Sequence, residues 1–194
     1  MAVRLTRIGH SRGFGIQSPW AYRFVTGVVC ERSPYYLYDE LLAAMPCNDK
    51  RLLRLCRLYF RMANFFQPQT VVDYGAATDV CRRYIRAGCR KSDIISIGKD
   101  DGDGNKTPLA DVYNIDMFRM NVVGPWRGYL DEAVKKAHDG SVFVIEGIYD
   151  DRTSRRLWKE MVADSRCTLT FDLYDCGIIF FDKKRYKENY TVNI

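Results

Sequence analysis

The amino-acid sequence predicts an α/β protein of the Rossmann-like type, a three-layer sandwich whose mainly parallel sheet is preceded by helices and closed by an antiparallel hairpin. From residue 70 onward, short β-branched runs alternate with helical patterns, as is typical of parallel strands covered on both faces. The last two runs are joined by a tight turn, which requires antiparallel pairing. Before residue 68 the periodicity is helical.

The chain has 194 residues, of which 47% are hydrophobic and 13% aromatic. This length suits one domain that can bury a sizeable core. We therefore predict a single domain over residues 1–194, with helical leader segments in 1–68 and a Rossmann-like core in 69–194. The sequence shows no internal repeat and no interdomain linker.

Two leader helices have clear start signals. Ser18 precedes Pro19, the order of an N-cap followed by the first helical position. A second helix starts at Asp49, where Leu52, Leu55, Cys56, Tyr59 and Met62 form an apolar stripe. Arg54, Arg57 and Arg61 recur at spacings of three and four on another face and are expected to face solvent. The proline of "QPQ" ends this helix.

The core reads as strands and helices in alternation. Predicted strands are "TVVDY", "DIISIG", "ADVYNID" and "SVFVIEGI", and "CTLTFDLYDCGIIFFDKK" gives two more that meet near residues 175–177. Predicted helices between them are "TDVCRRYIRAG", "WRGYLDEAVKKAHDG" and "DRTSRRLWKEMVAD", the second with His138 in its last turn.

Charge and cysteine content limit the setting and the partners. Seven cysteines without a C-x-x-C pair read as reduced thiols, and the apolar runs are too short to cross a bilayer, so the chain is expected in the cytoplasm and not in a membrane. Residues 1–92 carry 15 Lys+Arg against 6 Asp+Glu, a net +9, whereas residues 93–194 carry 15 against 18, a net −3. The basic half indicates either weak, non-specific binding of an anionic partner such as nucleic acid, or solvated helix faces.

Ligands of such sheets bind at the carboxyl ends of the strands. Gly75 follows the first strand and allows a tight turn and close approach of a ligand, although a strand-to-helix turn needs one glycine for structural reasons alone. Asp116 and Glu146 end two later strands and are candidates for a general base, a metal ligand or a partner for a ligand amine, with helix capping as the alternative. Because only two histidines exist, no histidine-based metal site is expected.

In the order of these elements the sequence resembles the class I S-adenosylmethionine-dependent methyltransferases. It is most similar to a bacterial branch that opens with an "HSP"-like segment, here "GIQSPWAYRFV", and carries an R-L-x-F-R-x-x-N-x-x-x-P helix, here "RLYFRMANFFQP". The closing "TFDLYDCGIIFFDKK" looks like the last two strands of that branch. The resemblance covers nearly the whole chain.

The resemblance implies a cofactor, S-adenosylmethionine, whose methyl group passes to a nucleophile aligned by the protein. Asp73, Gly75 and the following Ala76 match the first-strand motif that holds the methionine part of the cofactor. Asp116 matches the acid that faces the transferred methyl or, in metal-using relatives, a divalent cation, and Glu146 matches a further acid of those relatives. The resemblance leaves Asp100 or Asp101 as displaced substitutes for the acid that binds the ribose.

The sequence departs from the family at several of these places. Ala77 and Asp79 stand where further glycines are usual, and Gly98 stands where the ribose-binding acid is usual. Only about a dozen residues separate "DIISIG" from "ADVYNID", too few for the usual third strand and its flanking helices. We therefore predict six strands in the order 2-1-4-5-7-6 of the methyltransferase scheme.

Two functions follow from this resemblance. One is methyl transfer to an acceptor that the sequence does not identify, with a reduced cofactor site. The other is a non-catalytic binding or interaction module that keeps the fold, with an anionic partner for the basic half.

Overall fold

The computed structural model describes residues 15–43, 45, 49–75, 78–97, 109–122 and 126–193. These residues form two compact units. The first comprises the described residues of Met1–Gln67, Thr78–Lys91 and Thr191–Ile194, and the second those of Pro68–Ala77 and Ser92–Tyr190. The prediction of one domain stays a prediction.

The first unit is helical. Its helices are α1 Pro19–Phe24, a π-helix Val25–Val29, α2 Leu37–Ala43, α3 Lys50–Phe66 and α4 Val80–Gly88. The predicted start of α1 is confirmed, because the Ser18 side chain accepts a hydrogen bond from the Ala21 N–H. The predicted start of α3 is confirmed as well, since the Asp49 carboxylate accepts from the N–H groups of Arg51 and Leu52.

The arginines of α3 do not all face solvent. Arg54 is exposed and Arg57 is half-buried, but Arg61 is only 9% exposed, so the prediction is wrong for Arg61. Its Nε donates to the Val28 carbonyl at 2.5 Å and its Nη2 to the Val29 carbonyl at 3.1 Å. The last carbonyls of a helix need donors from outside it, and Arg61 supplies them for the π-helix.

The second unit holds the sheet. Its strands are β1 Thr70–Tyr74, β2 Asp93–Ile97, β3 Ile115–Met120, β4 Ala137–Glu146, β5 Leu169–Asp172, β6 Cys176–Phe180 and β7 Glu188–Thr191. A 3-10 turn, Leu109–Asp111, precedes β3, and the helices are α5 Trp126–Lys135 and α6 Arg152–Ala163.

The strand order is β2-β1-β3-β4-β6-β5-β7. β2, β1, β3 and β4 pair in parallel, while β6 runs antiparallel to both β4 and β5. The first six positions therefore follow the predicted order. The predicted number of strands is wrong by one, because β7 adds a strand beyond β5.

Two element boundaries differ from the prediction. The third strand was expected over residues 110–116, but β3 spans Ile115–Met120, since the residues before it form a 3-10 turn. The helix before β4 was expected to reach residue 140, but α5 ends at Lys135 and His138 lies in β4. There the Ser141 hydroxyl accepts from the His138 N–H at 2.8 Å and donates to the Ile115 carbonyl at 2.6 Å, which holds this segment in the sheet.

One face of the sheet packs against α5 and α6. Its buried strand residues include Val72, Phe118, Phe143 and Ile179, and the helices contribute Leu130, Ala133, Val134, Leu157, Trp158 and Met161. Alternate residues of a strand point to the same face, so this face takes the even-numbered residues of β1 and β3. The odd-numbered residues, among them Asp73 and Arg119, point to the opposite face.

Gly177 of β6 packs tightly against Trp158 of α6. A Cβ at this position would lie 2.3 Å from Cζ3 of Trp158. We expect Gly177→Ala to lower the free energy of unfolding by about 1–3 kcal/mol, because overpacking forces the indole or the strand to shift. Equilibrium denaturation in urea measures the change.

The matched control is Gly128→Ala in α5, where a Cβ would meet nothing within 4 Å. Alanine favours the helix, so this variant should be as stable as the wild type or more stable by up to about 1 kcal/mol. An equal loss in both variants would contradict the packing explanation.

Candidate functional site at the carboxyl edge of the sheet

The predicted turn after β1 is present. Gly75 has φ +72°, in the left-handed region where glycine is favoured. Its N–H donates to the Ile97 carbonyl at 3.0 Å, and the Asn121 N–H donates to the Tyr74 carbonyl at 3.1 Å. The carboxyl ends of β1, β2 and β3 are thus joined by backbone hydrogen bonds. Ala76 and Asp100, the other predicted cofactor contacts, lie outside the described residues, as do Ala77, Gly98 and Lys99.

The main feature of this edge is an ion triad of Asp73, Arg119 and Glu146. Arg119 Nη1 donates to Asp73 Oδ1 at 2.7 Å, and Arg119 Nε donates to Glu146 Oε1 at 2.8 Å. The three residues are 0%, 4% and 7% exposed. Two of the four predicted site residues that the structure describes are therefore brought together by an arginine that sequence analysis did not select.

Strand register explains the triad. Asp73 of β1 pairs directly with Arg119 of β3, and Arg119 pairs with Val144 of β4. Glu146 lies two residues beyond Val144, so it projects from the same face of the sheet. An arginine at this register position reaches both neighbouring strands with different nitrogens of one guanidinium.

The triad changes what the two carboxylates can do. Each accepts a short charge-assisted hydrogen bond, which is stronger than a neutral one. Each bond to Arg119 uses one oxygen of the carboxylate, and all three side chains are buried, so a ligand reaches Asp73 or Glu146 only if the packing around them opens. Burial, and not the loss of acceptor capacity, therefore keeps these two acids from a ligand.

Asp116 does not belong to this edge. Sequence analysis placed it at the end of a strand, but it is the second residue of β3 and lies at the amino end. Its Oδ2 accepts from the N–H groups of Gln69 and Thr70, each at 2.8 Å, and its Oδ1 lies 2.9 Å from His138 Nε2. The carboxylate binds the backbone where β1 begins, at the opposite end of the strand from Gly75.

The carboxyl end of β3 carries Arg119 and, just after the strand, Asn121. The signal that could have found Arg119 is its place in "DMFRMN", because an arginine inside an apolar run is seldom buried without a partner. Capping, the alternative for Glu146, is wrong, since the Asp151 side chain caps α6 by accepting from the Ser154 N–H at 2.7 Å.

A polar contact also lies beyond β4. The Tyr149 hydroxyl donates to Asp172 Oδ2 at 2.6 Å, and its ring stacks on Tyr174 with centroids 5.5 Å apart. Gly147, at φ +65°, donates its N–H to the Asp175 carbonyl at 2.8 Å. These contacts fix the β5–β6 turn against the end of β4.

Comparison with solved structures defines the fold. A methyltransferase from Geobacter sulfurreducens matches with a TM-score of 0.56 at 13% identity, over 78% of this chain and 98% of that chain. An O-methyltransferase from Bacillus cereus in complex with SAH matches with a TM-score of 0.53 at 11% identity, over 81% and 94%. An SAH-bound methyltransferase from Podospora anserina matches with a TM-score of 0.54 at 11% identity, over 90% and 98%. The chain has the fold of the class I methyltransferases.

No protein-family model matches the sequence, and no curated protein is significantly similar to it. Within the described ranges, no cluster of three or more His, Cys, Asp or Glu side chains could hold a metal ion. Nor does any helix in those ranges have the length and apolar character needed to cross a membrane.

The triad gives a stability prediction. Arg119→Met leaves Asp73 and Glu146 buried without their guanidinium, and we expect a loss of about 3–5 kcal/mol in the free energy of unfolding. Adding Asp73→Asn and Glu146→Gln to this variant should recover part of the loss, because the uncompensated charges are then gone. Urea unfolding at neutral pH measures both.

The matched control is Arg127→Met. Arg127 pairs with Glu160 at 2.8 Å, but the two side chains are 51% and 42% exposed. Exposed pairs contribute little to stability, so this variant should unfold close to the wild type. A similar small effect for Arg119→Met would show that the triad does not hold the edge together.

Proposed function

We propose that this chain is a methyltransferase-fold binding module that does not transfer methyl groups. The observation that carries the proposal is Arg119, whose guanidinium lies 2.7 Å and 2.8 Å from the carboxylates of Asp73 and Glu146. Asp73, which the family resemblance assigns to the cofactor, and Glu146, which it assigns to catalysis, are thus already paired with one buried guanidinium.

S-adenosylmethionine fits this edge poorly. The methionine part of the cofactor carries an ammonium group, and Asp73, the acid expected near it, has no exposed surface. Admitting the ammonium group to Asp73 would require the packing over this buried carboxylate to open, which is costly unless new contacts replace those that are lost. At the carboxyl end of β3, the residue directly after the strand is Asn121, whose side chain is an amide and not a carboxylate.

A second candidate is S-adenosylmethionine-dependent methyl transfer to an unidentified acceptor. Gly75 favours it, because the left-handed turn at the end of β1 keeps the backbone open to a ligand. The same fold in the Bacillus cereus and Podospora anserina proteins is seen with SAH. On this reading the reduced site would bind through backbone groups of the turn.

Calorimetric titration separates the two candidates. We expect neither S-adenosylmethionine nor S-adenosylhomocysteine to saturate the protein below about 1 mM, where the binding free energy is about −4 kcal/mol. A dissociation constant below about 1 μM for either compound would overturn the proposal in favour of the enzyme. Unfolding of the same preparation in urea confirms that the protein used is folded.

Gly75→Val tests the turn itself. Valine resists the positive φ of this position, so the variant should lose stability on either reading. If the turn holds the cofactor, Gly75→Val abolishes any binding that the wild type shows, whereas our proposal expects a change in stability alone. Loss of a measured S-adenosylmethionine affinity in a variant that is still folded would support the second candidate.

A further inference from the structure

The helical unit contains a cleft of about 610 Å³ with four arginines in its walls. Arg32 comes from the segment after the π-helix, and Arg54, Arg57 and Arg61 come from α3. Two acids, Glu31 and Asp39, also line the cleft, so positive charge is in excess by two. Its volume falls in the range of sites for small organic ligands, about 300–1,000 Å³.

The arginines of α3 lie on one side of the helix. Their spacings of three and four place successive guanidinium stems next to each other. Like charges held close together in a partly buried place repel. A bound anion would reduce this repulsion. No carboxylate of the described residues lies within ion-pair distance of Arg57 or Arg61, so none reduces it by direct contact.

Arg61 is fixed in place before any ligand arrives. Two of its nitrogens donate to the carbonyls of Val28 and Val29, and it is 9% exposed. These acceptors are neutral, so they orient the guanidinium and leave its charge in the wall of the cleft. A rigid, oriented cation binds an anion with a small loss of side-chain entropy.

Arg57 is held by an aromatic ring. Its guanidinium carbon lies 4.9 Å from the centroid of Tyr38, and its Nε is buried without a hydrogen-bond partner among the described residues. A buried hydrogen-bond donor without an acceptor is uncommon in a folded protein. Burial raises the pKa of the Tyr38 phenol, and its hydroxyl donates to the Arg57 carbonyl at 3.5 Å, which holds the ring against the helix that carries Arg57.

The acids of the cleft offset only part of these charges. The Glu31 carboxylate accepts from the Ser33 N–H at 2.6 Å, and this bond, with a smaller contribution from Arg61, holds the pKa of Glu31 below its usual value, so Glu31 stays ionised. Asp39 is exposed.

Tyr35 and Tyr38 form an aromatic wall of the cleft. Both pack edge-on against Phe60, with centroids 4.8 Å and 5.2 Å away.

We propose that this cleft binds a small organic oxyanion, a carboxylate or phosphate ester that carries an apolar or aromatic group. Arg57 and Arg61 hold the anionic group, the aromatic wall of Tyr35 and Tyr38 packs against the organic part, and the exposed Arg32 and Arg54 lie at the mouth. All of these residues belong to the helical unit, and the proposal does not depend on whether the carboxyl edge of the sheet binds a cofactor.

Phenyl phosphate and benzoate are the probes, titrated by calorimetry at constant ionic strength, with inorganic phosphate as the anion without an organic group. We expect saturable binding of at least one organic probe, tighter than that of inorganic phosphate. The stronger of the two probes tells whether the group is a phosphate or a carboxylate. Heats that match inorganic phosphate or do not saturate would overturn the proposal.

Arg57→Gln removes one charged donor and should weaken binding of the organic probe about ten-fold to a hundred-fold. Arg57→Lys keeps the charge and should fall between Arg57→Gln and the wild type. The matched control is Arg86→Gln, which removes the same charge from an exposed position of α4 outside the cleft and should leave binding unchanged. Arg54→Gln, at an exposed position, repeats the test with little risk to folding.

Equal losses in Arg57→Gln and Arg86→Gln would mean that net charge, and not the cleft, binds the anion. A duplex DNA titration in increasing salt completes the test. Strong, salt-sensitive DNA binding without binding of either organic probe would assign the arginines to a nucleic acid surface and overturn the proposal. DNA binding that is weak and indifferent to Arg57→Gln fits a site for small anions.

Discussion

The bridge from Arg119 to Asp73 and Glu146 is the interaction on which the sheet unit depends. It joins β1, β3 and β4, the three central parallel strands, by side chains on one face. Buried charges are tolerated only when they are paired and hydrogen-bonded, and Arg119 is the cation shared by the two acids, so its loss leaves both carboxylates in the interior without this counter-charge. The same bridge engages, through one oxygen each, two acids that the fold would otherwise present to a ligand.

The amino edge of the sheet is held in a comparable way by a single carboxylate. Asp116 accepts from two backbone N–H groups where β1 begins and contacts His138 of β4. Strands that begin at an exposed edge leave N–H groups without sheet partners, and a carboxylate is the strongest acceptor for them. Acidic side chains therefore stabilise the sheet at both ends of its strands. In the sequence alone, such an acid looks the same as a catalytic one, and this explains the expectation of a catalytic role.

The order of the strands could be predicted from sequence because it follows from local rules. β-branched runs, a glycine turn and a closing hairpin each have their own sequence pattern, and parallel connections leave few topologies. The bounds of β3 could not be predicted in this way. Arg119 interrupts its apolar pattern, and only the partners Asp73 and Glu146, 46 and 27 residues away in sequence, make an arginine acceptable there. β7 was not predicted because "ENYT" is short and polar, with one exposed residue and no fully buried one.

The same distinction between local patterns and pairing of distant residues decides which parts of the candidate sites could be predicted. The glycine turn is a local feature, and the left-handed Gly75 was predictable from "DYGAA". The pairing of Asp73 was not predictable, since contacts across strands decide whether a carboxylate is bonded to another side chain.

For the arginines of α3, periodicity alone predicts a solvent-facing row, yet the loss of solvent around Arg57 and Arg61 depends on where the π-helix and Tyr38 pack. At the carboxyl edge one guanidinium is bonded to two acids, whereas in the cleft Arg57 and Arg61 have no carboxylate of the described residues within ion-pair distance. An anion that enters the cleft would therefore meet guanidinium groups that no such carboxylate contacts directly, and this is the physical basis of the ligand site proposed there.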